Sequence, residues 1–170
     1  MAWQSGISYI VFQEDAYQLP PVGGVYALWL RLVKPAKVEV GRIGIKEFLP
    51  GEYIYAGSAR GKGGIAARLQ HHFRHTNHPT WHLDYLRPHC QVIAAWYWTI
   101  QEASECLLAK NLAELPGAFI PVPGFGSRDC IHGCRAHLIA FPPQTSLFDY
   151  LQISNAWRMA IIGSPNGTNS

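Results

Sequence analysis

The stretch from Tyr53 to Gly64, YIYAGSARGKGG, changes the hydrophobic period of the chain within a dozen residues. Ahead of it, apolar and aromatic side chains run as they do in strands. Behind it, Ile65, Leu69 and Phe73 recur every four positions, the single stripe of an amphipathic helix. A chain carrying this switch has to pack a helix against a sheet whose strand feeds directly into it. The glycines at the junction do not make a nucleotide cradle. Gly57 is followed by Gly61 after three residues and Lys62 by Gly63, so both the four-residue glycine spacing and the Lys-Ser/Thr pair of a P-loop are missing.

The flanking sequence extends this into an α+β domain. Gly24 to Leu32, GVYALWLRL, follows a Pro-Pro-Val-Gly-Gly lead-in and reads as a strand; Val38, Val40 and Arg42 continue an alternating pattern; Tyr53 to Ala56 is a third run after the Pro50-Gly51 turn. Short connections predict a small three-stranded antiparallel sheet flanked by helices. Trp81 to Leu86 reads as a short helix opened at Thr80 and stopped by Pro88, and Gln91 to Trp98 as another strand. Thr99 with Glu102 forms a capping-box pattern for a helix to about Leu115, ended by Pro116 and Gly117. Pro121 to Asp129 reads as an ordered loop, Leu138 to Phe141 as an extra C-terminal strand, and Ser146 to Leu151 as a helical turn. No repeat or charge run divides the chain, which predicts a single domain over 1–162 and a flexible tail over 163–170.

Composition narrows the class. At 48% hydrophobic and 15% charged residues the chain suits a globular protein, and no apolar run approaches the roughly 20 residues that span a bilayer. With no secretory signal visible, the expectation is a cytoplasmic protein without a membrane partner. The scattered Cys90, Cys106, Cys130 and Cys134 read as reduced thiols. A formal charge of +3 does not single out a nucleic-acid binder, but its distribution is informative. Between Arg60 and His78 lie Arg60, Lys62, Arg68 and Arg74, several histidines and no acid. Such a block meets phosphates or forms a solvated helix face.

Three placements bear on chemistry. Arg68 and His72, at i and i+4, share a face at the edge of the Leu69–Phe73 stripe, where a planar guanidinium can contact phosphate and an imidazole can move a proton; the plain alternative is the polar side of the helix. Glu105 falls in line with Leu108, Ala109 and Leu112, so its carboxylate needs a cation, a donor or a wet cleft, an internal salt bridge to Arg68 being the structural option. Tyr26 and Tyr55 lie in strands, with Leu28 and Tyr53 expected on their faces, where packing is the ordinary role.

Gly24-Val25-Tyr26, then Tyr55-Ala56-Gly57, then Arg68 and His72 on the next helix, then Glu105 on a later one, resemble in order the GIY-YIG nuclease family. The likeness covers most of the chain and is nearest to a subgroup with YIYAGSA, HWH-DYL-like and GFG-S-DC-C-HL-like stretches, here YIYAGSARGKGG, TWHLDYL and PGFGSRDCIHGCRAHL. Val25 and Ala56 depart from the isoleucines of the two name-giving motifs, and no counterpart of an asparagine after the glutamate is found. The resemblance implies metal-dependent endonuclease hydrolysis of phosphodiester bonds in DNA or another nucleic acid, structure-specific in its finer form. It implies that one of Tyr26 and Tyr55 activates or positions the attacking water, that His72 helps accept its proton, that Arg68 neutralises charge on phosphate oxygens, and that Glu105 holds Mg2+ or Mn2+. On this reading Gly57 leaves room for a phosphodiester backbone, and Ser58, Arg60, Lys62 and Arg74 join it in binding nucleic acid. A catalytically weak or inactive binding module on the same fold is the alternative, and a partner-binding domain using the aromatics a third.

The tail raises a separate metal question. Cys130 and Cys134 with His137 offer soft ligands at short spacing for Zn2+, without an evident fourth ligand. Buried thiols under a glycine-rich loop, or a disulfide, are the competing readings.

Overall fold

GVYALWLRL is apolar at almost every position, which suits a strand covered on both faces rather than one with a wet side. The computed structural model describes residues 8–11, 19–74, 76–99, 104–147 and 159–161. In chain order its elements are β1 (Ser8–Val11), β2 (Gly24–Leu32), β3 (Ala36–Val40), β4 (Gly44–Phe48), β5 (Gly51–Ala59), α1 (Gly64–Phe73), α2 (His82–Leu86), β6 (Gln91–Trp98), α3 (Glu105–Ala113), β7 (Leu138–Phe141) and β8 (Met159–Ile161). The result is an α+β fold in which β2 sits inside a six-stranded sheet of order β7-β5-β2-β6-β1-β8. β2 pairs antiparallel with β5 along its whole length and with β6 on its other side, while β1 and β8 run parallel.

This sheet is larger than the expected three strands, and one expected member lies elsewhere. Val38 and Val40 belong to β3, which pairs with β4 in a separate two-stranded ribbon, and Arg42 sits in a 3-10 turn between them. The reason is visible in β3 itself: Lys37 and Glu39 alternate with the buried Val38 and Val40, so this strand has one wet face and cannot occupy a sheet centre covered on both sides. The doubly covered β6 takes that place.

Alternation along the central strands sorts their side chains into two cores. Tyr26, Leu28, Leu30, Tyr53 and Tyr55 face Ile65, Leu69 and Phe73 of α1, Leu83 and Leu86 of α2, and the ribbon's Val38, Val40 and Phe48. Val25, Ala27, Trp29, Ile54, Trp96 and Trp98 face Leu108, Ala109 and Leu112 of α3. Burial of such side chains, at about 1.5–3 kcal/mol each, is what fixes the helices on the sheet. The stripe read at Ile65, Leu69 and Phe73 is therefore the packed face of α1.

Several polar groups inside these layers are paired. Glu52, buried on β5, accepts from Trp29 Nε1 and Arg31 Nε, each at 2.7 Å. At the end of α1 the buried Arg87 donates to the carbonyls of His72 at 2.6 Å and Phe73 at 3.2 Å, which the helix itself leaves open. At its start, Gly63 and Gly64 both have positive φ, and a Cβ on Gly64 would run into the Val22 carbonyl. That close approach lets Val22 O accept from Ile65 N at 2.8 Å and Pro20 O from Ala66 N at 3.0 Å. For α3 the N-cap is Ser104, whose Oγ accepts from Leu107 N at 3.4 Å. Thr99 is too far upstream for this, and Glu102, its expected partner, lies outside the described residues, as do 148–151 of the expected helical turn and the 163–170 tail. Among the described residues no helix is long and apolar enough to cross a membrane.

Candidate functional site

β2 and β5 pair with Tyr26 opposite Gly57 and Leu28 opposite Tyr55. Tyr26 and Tyr55 are thus diagonal neighbours on one face, with ring centroids 6.4 Å apart. The seat for Tyr26 exists because position 57 has no side chain: a Cβ there would strike Cζ and the hydroxyl of the tyrosine ring. Gly57 therefore has a structural role, making room for the Tyr26 ring, beside the clearance for a phosphodiester backbone expected from sequence.

α1 brings His72 against this pair from above. Its Nε2 lies 2.7 Å from the Tyr26 hydroxyl, and its Nδ1 faces Asp84 Oδ1 at 4.0 Å. Asp84 is itself fixed at the start of α2: Oδ2 accepts from Thr80 N at 2.8 Å and Trp81 N at 3.0 Å, and Oδ1 pairs with His71 Nε2 at 2.8 Å. Nδ1 makes no hydrogen bond among the described residues; with the ring proton on Nδ1, on the side of the carboxylate, the Nε2 lone pair accepts from the Tyr26 phenol, and with the other tautomer the roles reverse. Burial pushes the His72 pKa down to about 3; Asp84 opposes this, and His71, Arg68 and Arg87 add to it. At neutral pH the imidazole is an uncharged acceptor. His71, His72 and Asp84 are also close enough to gather a metal ion; His71 Nε2 and Asp84 Oδ1 are engaged with each other, while His72 Nδ1 is buried without a hydrogen-bond partner among the described residues.

Tyr26, Tyr55, Ser58, Arg68, Trp81 and Glu105 border one cavity of about 210 Å3. Burial raises both phenols well above their ordinary range; Glu105 adds to the rise in each case and Arg68 opposes it. Arg68 is steadied by Trp81, its Cζ 3.9 Å from the ring centroid. Glu105 reaches the cavity from the first turn of α3, on the opposite side of the sheet. Its side chain is 35% exposed, and its Oε2 lies 3.8 Å from His137 Nδ1. Burial raises its carboxyl pKa, with Arg60, Arg68 and His132 pulling it back. The close neighbour of its carboxylate is therefore His137, whose pKa burial lowers, while Arg68 acts on it electrostatically. Four of the expected catalytic residues meet in this space, and His72 stands behind Tyr26 as its hydrogen-bond partner.

The cavity opens on two others that share Trp81 with it. One of about 300 Å3 is bordered by Lys62, Arg68 and His71, and one of about 550 Å3 by Tyr55, Arg42, His82 and Arg128. Of the residues expected to bind nucleic acid, Ser58 and Lys62 border these spaces and Arg60 acts electrostatically on Glu105. Arg74 is exposed at the far end of α1 and borders none of the three. Asp84 was not singled out for the site by sequence. Its signal was present, an acid at the third position of a helix opened by Thr80-Trp81, where it reaches back to the free amides.

Beside Glu105 a second constellation closes. All four cysteines are unpaired thiols. Cys106, Cys130, Cys134 and His137 bring one ligand atom each within 4.8 Å of all the others, a cluster able to hold a metal ion. Cys106 Sγ lies 3.3 Å from Cys130 Sγ and 3.7 Å from His137 Nε2. Cys106 supplies the fourth ligand missing from the sequence reading. It sits on α3, far in sequence from the tail that provides the other three.

No curated protein and no solved structure matches the chain. A family model described as "Domain of unknown function DUF123" matches residues 25–158, a span that includes both tyrosines, the α1 pair, Glu105 and the cysteine–histidine cluster, and the chain belongs to that family.

Proposed function

We propose that this cleft hydrolyses phosphodiester bonds in DNA, as a metal-dependent endonuclease of the GIY-YIG type. One observation carries the reading: Tyr26, Tyr55, Arg68 and Glu105 share a cavity of about 210 Å3. Tyr26 in addition holds a 2.7 Å hydrogen bond to a neutral His72. These are the parts a hydrolytic site needs: a proton acceptor, a cation for the phosphate and a carboxylate for a divalent ion.

The proton path follows from the hydrogen-bond directions. Tyr26 donates to His72 Nε2, so its oxygen lone pair faces the cavity and orients a water toward phosphorus. As the water attacks, its proton moves to the Tyr26 oxygen while the phenolic proton shifts toward Nε2, and Asp84, facing Nδ1, offsets part of the burial cost that keeps this imidazole neutral at rest. Tyr55 holds the second side of the water, and Arg68, set against Trp81, offsets the charge growing on the phosphate oxygens.

Glu105 fits a Mg2+ or Mn2+ ion: it is a hard oxygen donor, part-exposed, bordering a space large enough for the waters such an ion retains. Bound there, the ion supplies stabilisation of the leaving oxygen. Zn2+ has no part in this step and belongs to the neighbouring thiols.

A panel of flap, branched, nicked and single-stranded DNA, incubated with and without Mg2+ or Mn2+, tests the reading. Metal-dependent cutting that is lost in Glu105→Ala supports it; absence of cutting on every substrate, with the variant indistinguishable from wild type, sinks it. The second reading, a binding module without turnover, is favoured by the lysine and arginines lining the adjoining cavities. It gives binding that persists in Glu105→Ala without product. Replacing Arg60 or Lys62 then flattens the salt slope of binding by about 0.7–0.9 for each phosphate that is no longer neutralised.

A further inference from the structure

We infer that Cys106, Cys130, Cys134 and His137 form a Cys3His site for Zn2+, and that this centre sets the position of Glu105 through His137.

The donor set comes first. Three thiolates and an imidazole select Zn2+ over the hard ions that a carboxylate attracts, and four protein ligands with no open position define a structural rather than a reacting site. A tetrahedron with bonds of about 2.3 Å has sulfur atoms about 3.8 Å apart. The ligand atoms here, all within 4.8 Å of one another and 3.3–3.7 Å apart at Cys106, need only small side-chain adjustments to meet that geometry.

The surrounding segment needs such a centre. Between Gly117 and His137 the chain has no helix or strand, a length uncommon for a loop inside a domain; its own backbone bonds, among them Gly124 N to Arg135 O at 2.7 Å and Cys130 N to Ser127 O at 3.0 Å, close turns without burying the 128–135 excursion. One anchor is Phe125, fully buried against Tyr55, Phe48 and His82. Another is the His137 carbonyl, which accepts from Ala56 N at 2.8 Å and continues the sheet. Between these anchors, Arg128, Asp129, Ile131, His132, Gly133 and Arg135 are exposed, and Ile131 is 90% exposed. Within 128–135, Cys130 and Cys134 are the residues turned inward, and they turn toward Cys106. No apolar side chain of 128–135 packs into the core to hold this excursion in place.

Two links then join the centre to Glu105. Cys106 is its immediate neighbour in the first turn of α3, so fixing that sulfur fixes the backbone that carries the carboxylate. His137 presents Nε2 to Cys106 and Nδ1 to Glu105 Oε2 at 3.8 Å. Ligation through Nε2 places the ring proton on Nδ1, a buried atom that has no hydrogen-bond partner among the described residues and whose near neighbour is the Glu105 carboxylate, so that a small side-chain shift would make the outer contact that orients histidines on zinc. Glu105 is thereby a positioning partner of the soft site as well as a border of the cavity. Only its catalytic meaning rests on the nuclease reading; the zinc site does not.

The full chain, expressed without an affinity tag and purified without chelators, is assayed for zinc by elemental analysis, then stripped and titrated with Co2+. The expected result is about one zinc per chain and a cobalt spectrum with tetrahedral d–d bands and thiolate charge transfer. Cys134→Ser, at a half-exposed position, weakens the charge-transfer band, and Cys90→Ala leaves it intact. Glu105→Gln keeps the spectrum but lowers Co2+ affinity about ten- to a hundredfold, as loss of an outer partner does. Zinc below stoichiometry with no thiolate–cobalt band, or a Cys106–Cys130 disulfide in the freshly purified chain, overturns the site. Unchanged affinity in Glu105→Gln overturns the link to Glu105. Zinc content is independent of turnover, so failure of the nuclease assay leaves these readouts standing.

Discussion

Tyr26 of β2 and His72 of α1 are joined by a 2.7 Å hydrogen bond that is buried beneath the helix. Removing the hydroxyl deprives the imidazole of its partner and the proposed site of its proton route at once. In Tyr26→Phe, cleavage should fall about 10²–10⁴-fold. Stability should fall by about 1–3 kcal/mol because Nε2 is left unsatisfied. Kinetics and urea unfolding on the same preparation separate the two effects; a fully active variant removes Tyr26 from the chemistry.

Burial holds His72 at about 3 against an ordinary 6.5, with Asp84 facing it from α2, Arg87 beyond the end of α2, and His71 and Arg68 on its own helix. The unfolded chain therefore takes up a proton at His72 that the folded one refuses. Its contribution to stability is complete above pH 6.5 and is lost as pH falls toward 3. His72→Gln should flatten the acid limb of the stability profile by up to about 1.4 kcal/mol per pH unit. Equal slopes in both proteins, measured by urea unfolding between pH 7 and 4, contradict the buried neutral imidazole.

Gly57 does not sit in the left-handed region, so an alanine there meets no backbone strain and only the Tyr26 ring. Gly57→Ala should cost about 1–3 kcal/mol through overpacking and should depress cleavage with it. Adding Tyr26→Leu removes the clash but leaves His72 Nε2 open, so the double variant loses less stability than the sum of the single losses and regains no activity. Strict additivity of the two substitutions in thermal unfolding is the outcome that denies the contact.

Arg87 closes the carbonyl end of α1, donating to His72, Phe73 and Cys90. Arg87→Met leaves those buried acceptors open and should destabilise the protein by about 3 kcal/mol. Because one of them is His72's own carbonyl, hydrogen exchange should rise first in the last turn of α1. Uniform exchange across all helices argues against a local role.

Much of the fold was readable because the periods are strong. The four-residue stripe of α1 and the runs of β2, β5, β6 and β7 all lie where their patterns put them. Strand partners were not readable: Val38 and Val40 alternate as well in an edge ribbon as in a sheet, and only the polar Lys37 and Glu39 distinguish the two. The candidate site was legible where residues carry their own anomaly, as Glu105 does in an apolar stripe. Asp84 and Cys106 were harder because their importance lies in partners distant along the chain, His72 for one and the 130–137 segment for the other. At Gly57 the sequence shows that room is needed without showing that the Tyr26 ring fills it.

The closed amino end of α1 has a further consequence. Its first amides, from Gly64 to Ala67, are all given to carbonyls of the chain itself. An anion entering the cleft finds no backbone nest at that helix, and the long side chains of Arg60, Lys62 and Arg68 are what it can meet. Side-chain contacts of this kind can be exchanged one at a time without disturbing the helix–sheet joint. The same scaffold can thus be retuned toward a differently shaped polyanion by surface substitution alone, while the route of the main chain stays as it is.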